Sequence, residues 1–242
     1  NFATPYNPTK RDRVNNLMLA ANALDGLVLA PGASLSYNAV VGERSEARGF
    51  LDAPVIEQGE VVEGVGGGAC QVSSTLYAAA LFAGLDIVER YPHTLPSSYI
   101  KKGFDATVSW PDLDLVVRNP YTFPVALRLV FRDERLNAEL WAPQAITPVA
   151  IRWELVAELP YEDVVTVDPL LPKDTILLVS NGKLGFKVAR ARIFREAAGE
   201  RFERLSTDVY PPRSRKITVG PETWYDPVTL LPLPGPPELP PP

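Results

Sequence analysis

The 242-residue chain has one cysteine, one histidine and one methionine. A single cysteine excludes an internal disulfide, and with it a disulfide-stapled secreted scaffold, though not a secreted enzyme with a free thiol. No apolar run approaches the ~18 residues that a membrane span needs, so no span is expected in this fragment. A basic excess is missing too. Lys and Arg number 24 against 29 Asp and Glu, a formal net charge of −5, which argues against a nucleic-acid partner. No signal peptide is present, but the chain begins at Asn1 rather than Met. It therefore reads as a processed or truncated piece, and the lack of a leader excludes no compartment. Cys70 and His93 lack the C-x-x-C or H-x-x-x-H company of a metal site. The glycine run before Cys70 lacks the Lys-Ser/Thr of a phosphate loop, and there is no G-x-S-x-G elbow for a serine nucleophile. No metal and no cofactor are expected.

What the chain does have is 46% apolar residues, enough for a sizeable core, and 25 prolines, about twice the usual share of about 5%. Residues 9–25 place Leu17, Ala20, Ala21 and Leu24 on one stripe, which predicts a helix with Thr9 as N-cap and Gly26 as its stop. LVLAPGASLSYNAVVG reads as short strands around a Pro-Gly turn, and the stretch up to Gly64 as a loop and a hairpin turning near Gln58-Gly59. A second helix is predicted from Gln71 to about Ala83, apolar enough to be nearly buried. Strands follow to Phe131. From 149 to 220 the pattern is of short strands only, with Asn181-Gly182 and Gly199 at turns. Half of the 16 positions from Pro227 to Pro242 are proline, so that tail reads as polyproline-like or disordered rather than core.

The chemistry concentrates in GVGGGACQVSSTLYAAALFAGL, residues 64–85. Cys70 stands where the second helix begins. Helix starts carry partial positive charge and unpaired N–H groups, which favour a thiolate. Gly67 and Gly68 would let a substrate approach the backbone, and free amides at Cys70-Gln71 would bind an oxyanion. Against this stands a plain reading: cysteine is a small apolar residue, and the glycines serve tight packing. Ser73 and Ser74 read as groups that satisfy first-turn amides. The lone histidine, His93, lies 23 residues after the cysteine, bracketed by Pro92 and Pro96, and Asp105 follows 12 residues later. A cysteine nucleophile needs a base, and a base needs an orienting carboxylate. Asp112 and Asp114 compete with Asp105 for that part. Tyr77, Tyr99 and Trp110 are candidates to line a groove, or core residues.

The block GGGACQVSSTLYAAALFAGLDIVERYPHTLPSSYIKKGFDATV, with the sequence before it and LDLVVRNPYTFPVAL after it, closely resembles the signature of the VanW family. The resemblance covers about residues 5–131 and includes Cys70, Gln71, Ser73, Ser74, Arg90, His93, Tyr99 and Asp105. Thr94 stands where relatives often carry Ser, and Phe104 where they often carry Arg. The resemblance implies an extracytoplasmic, cell-envelope protein, in a family linked in part to glycopeptide-antibiotic resistance. Cys, then His, then Asp in chain order is similar to the papain-like and transglutaminase-like plan, an analogy of fold. Residues 150–220 resemble the five-glycine wall-associated domain, with Gly182, Gly185, Gly199 and Gly220 at glycine positions and Asp174 where another glycine is expected.

These readings combine into one expectation. The fold class is α+β: a VanW-like domain, residues 1–143, with two main helices on an antiparallel sheet, then a small all-β, five-glycine-like module, 144–222, and a Pro-rich tail, 223–242. The expected function is a Cys-His hydrolase or transferase acting on amide bonds of peptidoglycan peptides. Cys70, His93 and Asp105 would be catalytic, and Gly67, Gly68, Gln71, Ser73, Ser74 and Tyr99 would bind substrate or oxyanion. The rival expectation is a non-catalytic wall-binding or spacer protein. The partner in either case is cell-wall peptidoglycan or its peptide stems.

Overall fold

The computed structural model describes residues 1–57, 60–196 and 198–235. The hairpin turn expected at Gln58-Gly59 and the end of the Pro-rich tail lie outside the described residues. In chain order the strands of the first half are β1 (Phe2–Pro5), β2 (Val28–Leu29), β3 (Ser34–Ser36), β4 (Asp52–Glu57), β5 (Glu60–Val65), β6 (Asp86–Glu89), β7 (Val116–Arg118), β8 (Val125–Arg132) and β9 (Arg135–Trp141). The helices are α1 (Arg11–Leu24), α2 (Tyr37–Val41) and α3 (Ala69–Phe82). The second half is all strand: β10 (Val149–Leu159), β11 (Asp163–Val167), β12 (Ile176–Ser180), β13 (Gly185–Glu196), β14 (Gly199–Arg204), β15 (Asp208–Tyr210), β16 (Arg215–Val219), β17 (Trp224–Tyr225) and β18 (Pro232–Leu233).

The expected fold class needs correction. Among the described residues the fold is mostly β, with 43% in strands and 16% helical, and there are three α-helices rather than two. The strands are spread over several small sheets instead of one antiparallel platform. The physical reason lies in strand length. β2, β3 and β7 hold two or three residues each and exist only because distant segments pair with them: β2 with β8, and β3 with β7. Segments so short carry no period of their own, whereas two amphipathic helices announce themselves. α2 was hidden for a related reason. It is one turn, started by Ser36, whose hydroxyl accepts from the Ala39 N–H at 2.9 Å. α1 begins two residues later than its expected cap. Thr9 is held by the Asn7 side chain, and Lys10 caps without a side-chain bond.

The chain forms two compact units. The first is discontinuous: residues 1–156 and 188–210. Its sheet runs β1-β9-β8-β2, with β3-β7-β6, the β4-β5 hairpin and the β10-β13-β14 sheet beside it. α3 packs on α1, β1 and β9, and Leu17, Leu24, Val72, Leu76, Leu81, Leu115 and Leu136 form its core. All but two of the helical residues of α3 are buried. The second unit comprises 157–187 and 211–242 and holds the sheet β11-β16-β12 and the small ladder β17-β18. Asp174, in a place where glycine was expected, adopts φ 63°, the left-handed conformation a glycine would supply and Asp tolerates. The early part of the Pro-rich segment is not purely irregular, since Trp224–Tyr225 pairs with Pro232–Leu233. Among the described residues no helix is long and apolar enough to cross a membrane.

Candidate active site

Cys70 is the second residue of α3, directly after a glycine turn. Gly66 and Gly68 have φ of +83° and +116°, and Gly68 is the N-cap. All three glycines are buried. A Cβ on Gly67 would overlap the Ala53 carbonyl, one on Gly66 would meet the Arg44 stem at 2.6 Å, and one on Gly68 the Arg13 side chain at 3.3 Å. The glycines are thus demanded by the chain's own close approach, and Gly67 and Gly68 are not open to a ligand. Gly67→Ala is expected to lower stability by about 1–3 kcal/mol through overpacking against backbone that cannot give way. A urea unfolding midpoint unchanged from wild type would contradict that packing.

His93 and Asp105 meet through strand register. Tyr91 pairs with Thr107 in an antiparallel bridge, its carbonyl accepting the Thr107 N–H at 2.8 Å. Stepping two residues outward on each side brings His93 opposite Asp105. The Asp105 Oδ2 accepts both the His93 backbone N–H, at 2.7 Å, and the ring Nδ1, at 2.8 Å. The same segment is tied to the start of α3. Ser74 Oγ accepts the Ala106 N–H at 2.9 Å, and Ser73 Oγ donates to the Ala106 carbonyl at 2.7 Å. Val108 then lies on the thiol, its N–H 3.5 Å and its carbonyl 3.4 Å from Cys70 Sγ. With Nδ1 committed to Asp105, Nε2 is the ring nitrogen left for Cys70.

The titrations follow from this contact. Burial pushes the Cys70 thiol up, but the hydrogen bond and charge of His93, the Val108 backbone and the Arg44 charge together hold it below the usual thiol range. Burial pulls His93 down, yet its bonds to Asp105 and Cys70 raise it to about 9. Asp105 resists its own burial because His93 and Arg90 keep it far below the usual carboxylate range. All three shifts run in the direction that favours the charged form of each group. His93 is 4% exposed and Asp105 1%, while Cys70 is partly open to solvent.

The remaining expected site residues divide. Tyr99 stands by the thiol, its hydroxyl 3.5 Å from Ser74 Oγ, and burial and the Cys70 charge keep it protonated. Ser73 and Ser74 brace the helix start, both donating back to the Cys70 carbonyl. Gln71 is turned away: its side chain donates to Thr4 Oγ1 and the Pro5 carbonyl and accepts from Arg13, and its backbone N–H is spent on the Gly68 carbonyl at 2.8 Å. Asp112 is exposed, and Asp114 accepts from Ser36, Asn38 and Leu115 at the start of α2. Neither orients His93. Tyr77 is buried under the guanidiniums of Arg90 and Arg190, and Trp110 is exposed. Phe104 is core, one of three near-parallel rings clustered with Phe2 and Phe82. Among the described residues no group of three or more His, Cys, Asp or Glu is placed to hold a metal.

A layer behind the site has no counterpart in the sequence expectations. The Tyr210 hydroxyl donates to Asp105 Oδ1 and accepts the Gly103 N–H at 2.7 Å. Arg90 donates to the Asp105 carbonyl at 2.7 Å and to Asp208 at 2.6 Å. Arg190 binds Asp208 at 2.8 Å and donates to Tyr77 and the Gly103 carbonyl. Gly103 must be glycine here, as its Cβ would meet the Arg190 stem at 2.6 Å. Only Arg90, three residues before His93, had a local signal. Asp208 is 118 positions from Arg90, and Tyr210 is 105 from Asp105.

Comparison with known proteins follows from the same stretch of chain. The family model described as VanW like protein matches residues 12–141, which include Cys70, His93 and Asp105 and exclude Asp208 and Tyr210. The Bacillus subtilis protein YoaR is 46% identical over 127 residues, 52% of this chain and 42% of that protein. The vancomycin B-type resistance protein VanW of Enterococcus faecalis is 32% identical over 149 residues, 58% of this chain and 54% of that protein. The chain spans about half the length of these curated relatives. Among solved structures, the IgA1 protease G5 domain is 27% identical with a TM-score of 0.25, over 31% of this chain and 93% of that one. The HP0197 G5 domain is 22% identical with a TM-score of 0.20, over 31% and 100%.

Proposed function

The chain belongs to the VanW-like family, and from that premise we propose that it is a cysteine-dependent hydrolase or transferase. It acts outside the cytoplasm, at the cell wall, on amide bonds of peptidoglycan peptides. One observation carries the reading: the buried Asp105 carboxylate holds His93 Nδ1, and His93 and Cys70 are near enough that each shifts the other towards its charged form. In the reaction, the Cys70 thiolate attacks the amide carbon and the carbonyl electrons move onto oxygen. The tetrahedral centre collapses to a thioester as His93 gives its proton to the leaving amine. Water, or an acceptor amine, deprotonated by His93, then releases the acyl group and restores the thiol pair. The protonated Tyr99 hydroxyl and the positive end of α3 support the transient oxyanion. The Gln71 amide, already bonded, does not take that part.

A second reading, wall binding without catalysis, is favoured by a cavity of about 530 Å³ in the second unit, lined by Val165, Val167, Val219, Trp224 and Tyr225 among others. The five-glycine likeness of that stretch belongs to this reading. One experiment separates the two. Muropeptides are incubated with the protein and followed by mass spectrometry. Cleaved or transferred products, with an acyl adduct on Cys70, are expected from wild type and are lost in Cys70→Ala. Sedimentation with purified sacculi that Cys70→Ala retains, with no product from either protein, would overturn the enzyme and leave the binding protein.

A further inference from the structure

Arg44 is a cation without a counter-ion beside the thiol. Its Nη1 donates to Asn38 Oδ1 at 2.7 Å and to the Gly42 carbonyl at 2.9 Å, which fixes the guanidinium while leaving its other donors unspent. Among the described residues it forms no ion pair, and no further partner completes it. Two contacts place it beside the turn that leads into Cys70. Its stem lies on Gly66, in the turn that leads into Cys70, so closely that a Cβ there would stand 2.6 Å away. Its guanidinium carbon is 6.0 Å from the centre of the Tyr37 ring, whose hydroxyl donates to the carbonyl of Ala69, the residue before Cys70. The nearby carboxylates are both occupied. Asp105 is held by His93, Arg90 and Tyr210, and Asp114 by the start of α2. The Arg44 charge is felt at the Cys70 thiol, which it helps to lower. Arginine presents a planar fork suited to a carboxylate.

Resting on the cysteine reading above, we propose that Arg44 is a substrate-recognition residue that binds a carboxylate of the substrate close to the bond under attack. The preferred substrate is then a peptide cleaved or transferred near a free carboxylate, and a neutral amide in the same place is the poorer one.

Two alkylating reagents that differ by one charge test this without knowledge of the substrate. Iodoacetate and iodoacetamide react alike, the sulfur forming a bond to carbon as iodide leaves. The ratio of their rates at Cys70 is measured against the same ratio for N-acetylcysteine at the same pH. Wild type is expected to favour iodoacetate about tenfold more than the free thiol does, the scale of one charge-assisted hydrogen bond in a partly buried site. Arg44→Gln should return the ratio to the free-thiol value, Arg44→Lys should keep part of the preference, and added salt should erode it. Equal slowing of both reagents in Arg44→Gln would mean that Arg44 only tunes the sulfur, and would overturn the proposal while Cys70 remains reactive. A wild-type ratio equal to that of N-acetylcysteine would overturn it as well. Should neither reagent label Cys70 faster than the free thiol at pH 6, the nucleophile itself falls, and Arg44 with it.

Discussion

Alkylation of Cys70 by iodoacetamide at pH 6 is expected to slow by tenfold or more when His93 is replaced by alanine or glutamine. An ordinary thiol with a pKa near 8.5 is only about 0.3% thiolate at that pH, whereas the His93 contact holds the Cys70 thiol below that range. Removing the ring lowers the thiolate fraction, and the greater nucleophilicity of a more basic sulfur recovers part of the rate. The wild-type rate should rise through the depressed thiol pKa, hold level, and change again near pH 9, where His93 gives up its proton. Stability should follow the same groups. His93 binds its proton more tightly folded than unfolded, so its contribution is complete below about 6.5, the ordinary histidine value, and is lost as pH rises through about 9. Asp105, depressed by folding, contributes above the ordinary carboxylate range and loses that contribution in strong acid. A labelling rate indifferent to His93 would refute the pair.

Asp208→Asn should destabilise the protein by about 3–5 kcal/mol, the usual consequence of stranding buried charge. Asp208 is 1% exposed and stands between Arg90 and Arg190, whose side chains are 3% and 0% exposed. With the carboxylate gone, the buried Arg190 loses its ion pair and Arg90 keeps only its longer one, 3.4 Å to Asp105. Combining Asp208→Asn with Arg190→Met should recover part of the loss, because one of the stranded charges goes with it. Urea unfolding monitored by circular dichroism measures both. A loss under about 1 kcal/mol, the range of exposed pairs, would mean that solvent reaches this cluster. The effect on Cys70 is indirect. Arg90 bonds both Asp208 and the backbone and carboxylate of Asp105, so Asp208→Asn loosens the group that aims the His93 ring.

The sequence disclosed these elements unevenly. α1 and α3 were legible because an apolar stripe repeats every three or four residues and a glycine stops each one. The start of α3 was legible because three glycines run straight into an alanine-rich segment. The fold class was misread because helices with strong periods outweighed the strands, eleven of which, among the eighteen described, hold only two to five residues. The glycines before Cys70 also fitted two readings. A residue without a side chain signals a close approach without saying what approaches, and here it is the Ala53 carbonyl and the Arg44 stem.

By itself the sequence determined which chemistry is available: one thiol, one imidazole and a carboxylate within 36 positions, at a helix start after a glycine turn. It also settled the absence of disulfides, since that needs only a count. Tertiary structure alone decided that the His93 ring meets Asp105, through the Tyr91-Thr107 register. Only folding could bring Asp208, Tyr210 and Arg190 behind Asp105 and leave Arg44 unpaired beside the turn that leads into Cys70. Helix periods and turns are written over a few neighbouring residues, whereas a hydrogen bond spanning a hundred positions is set by how the whole chain packs.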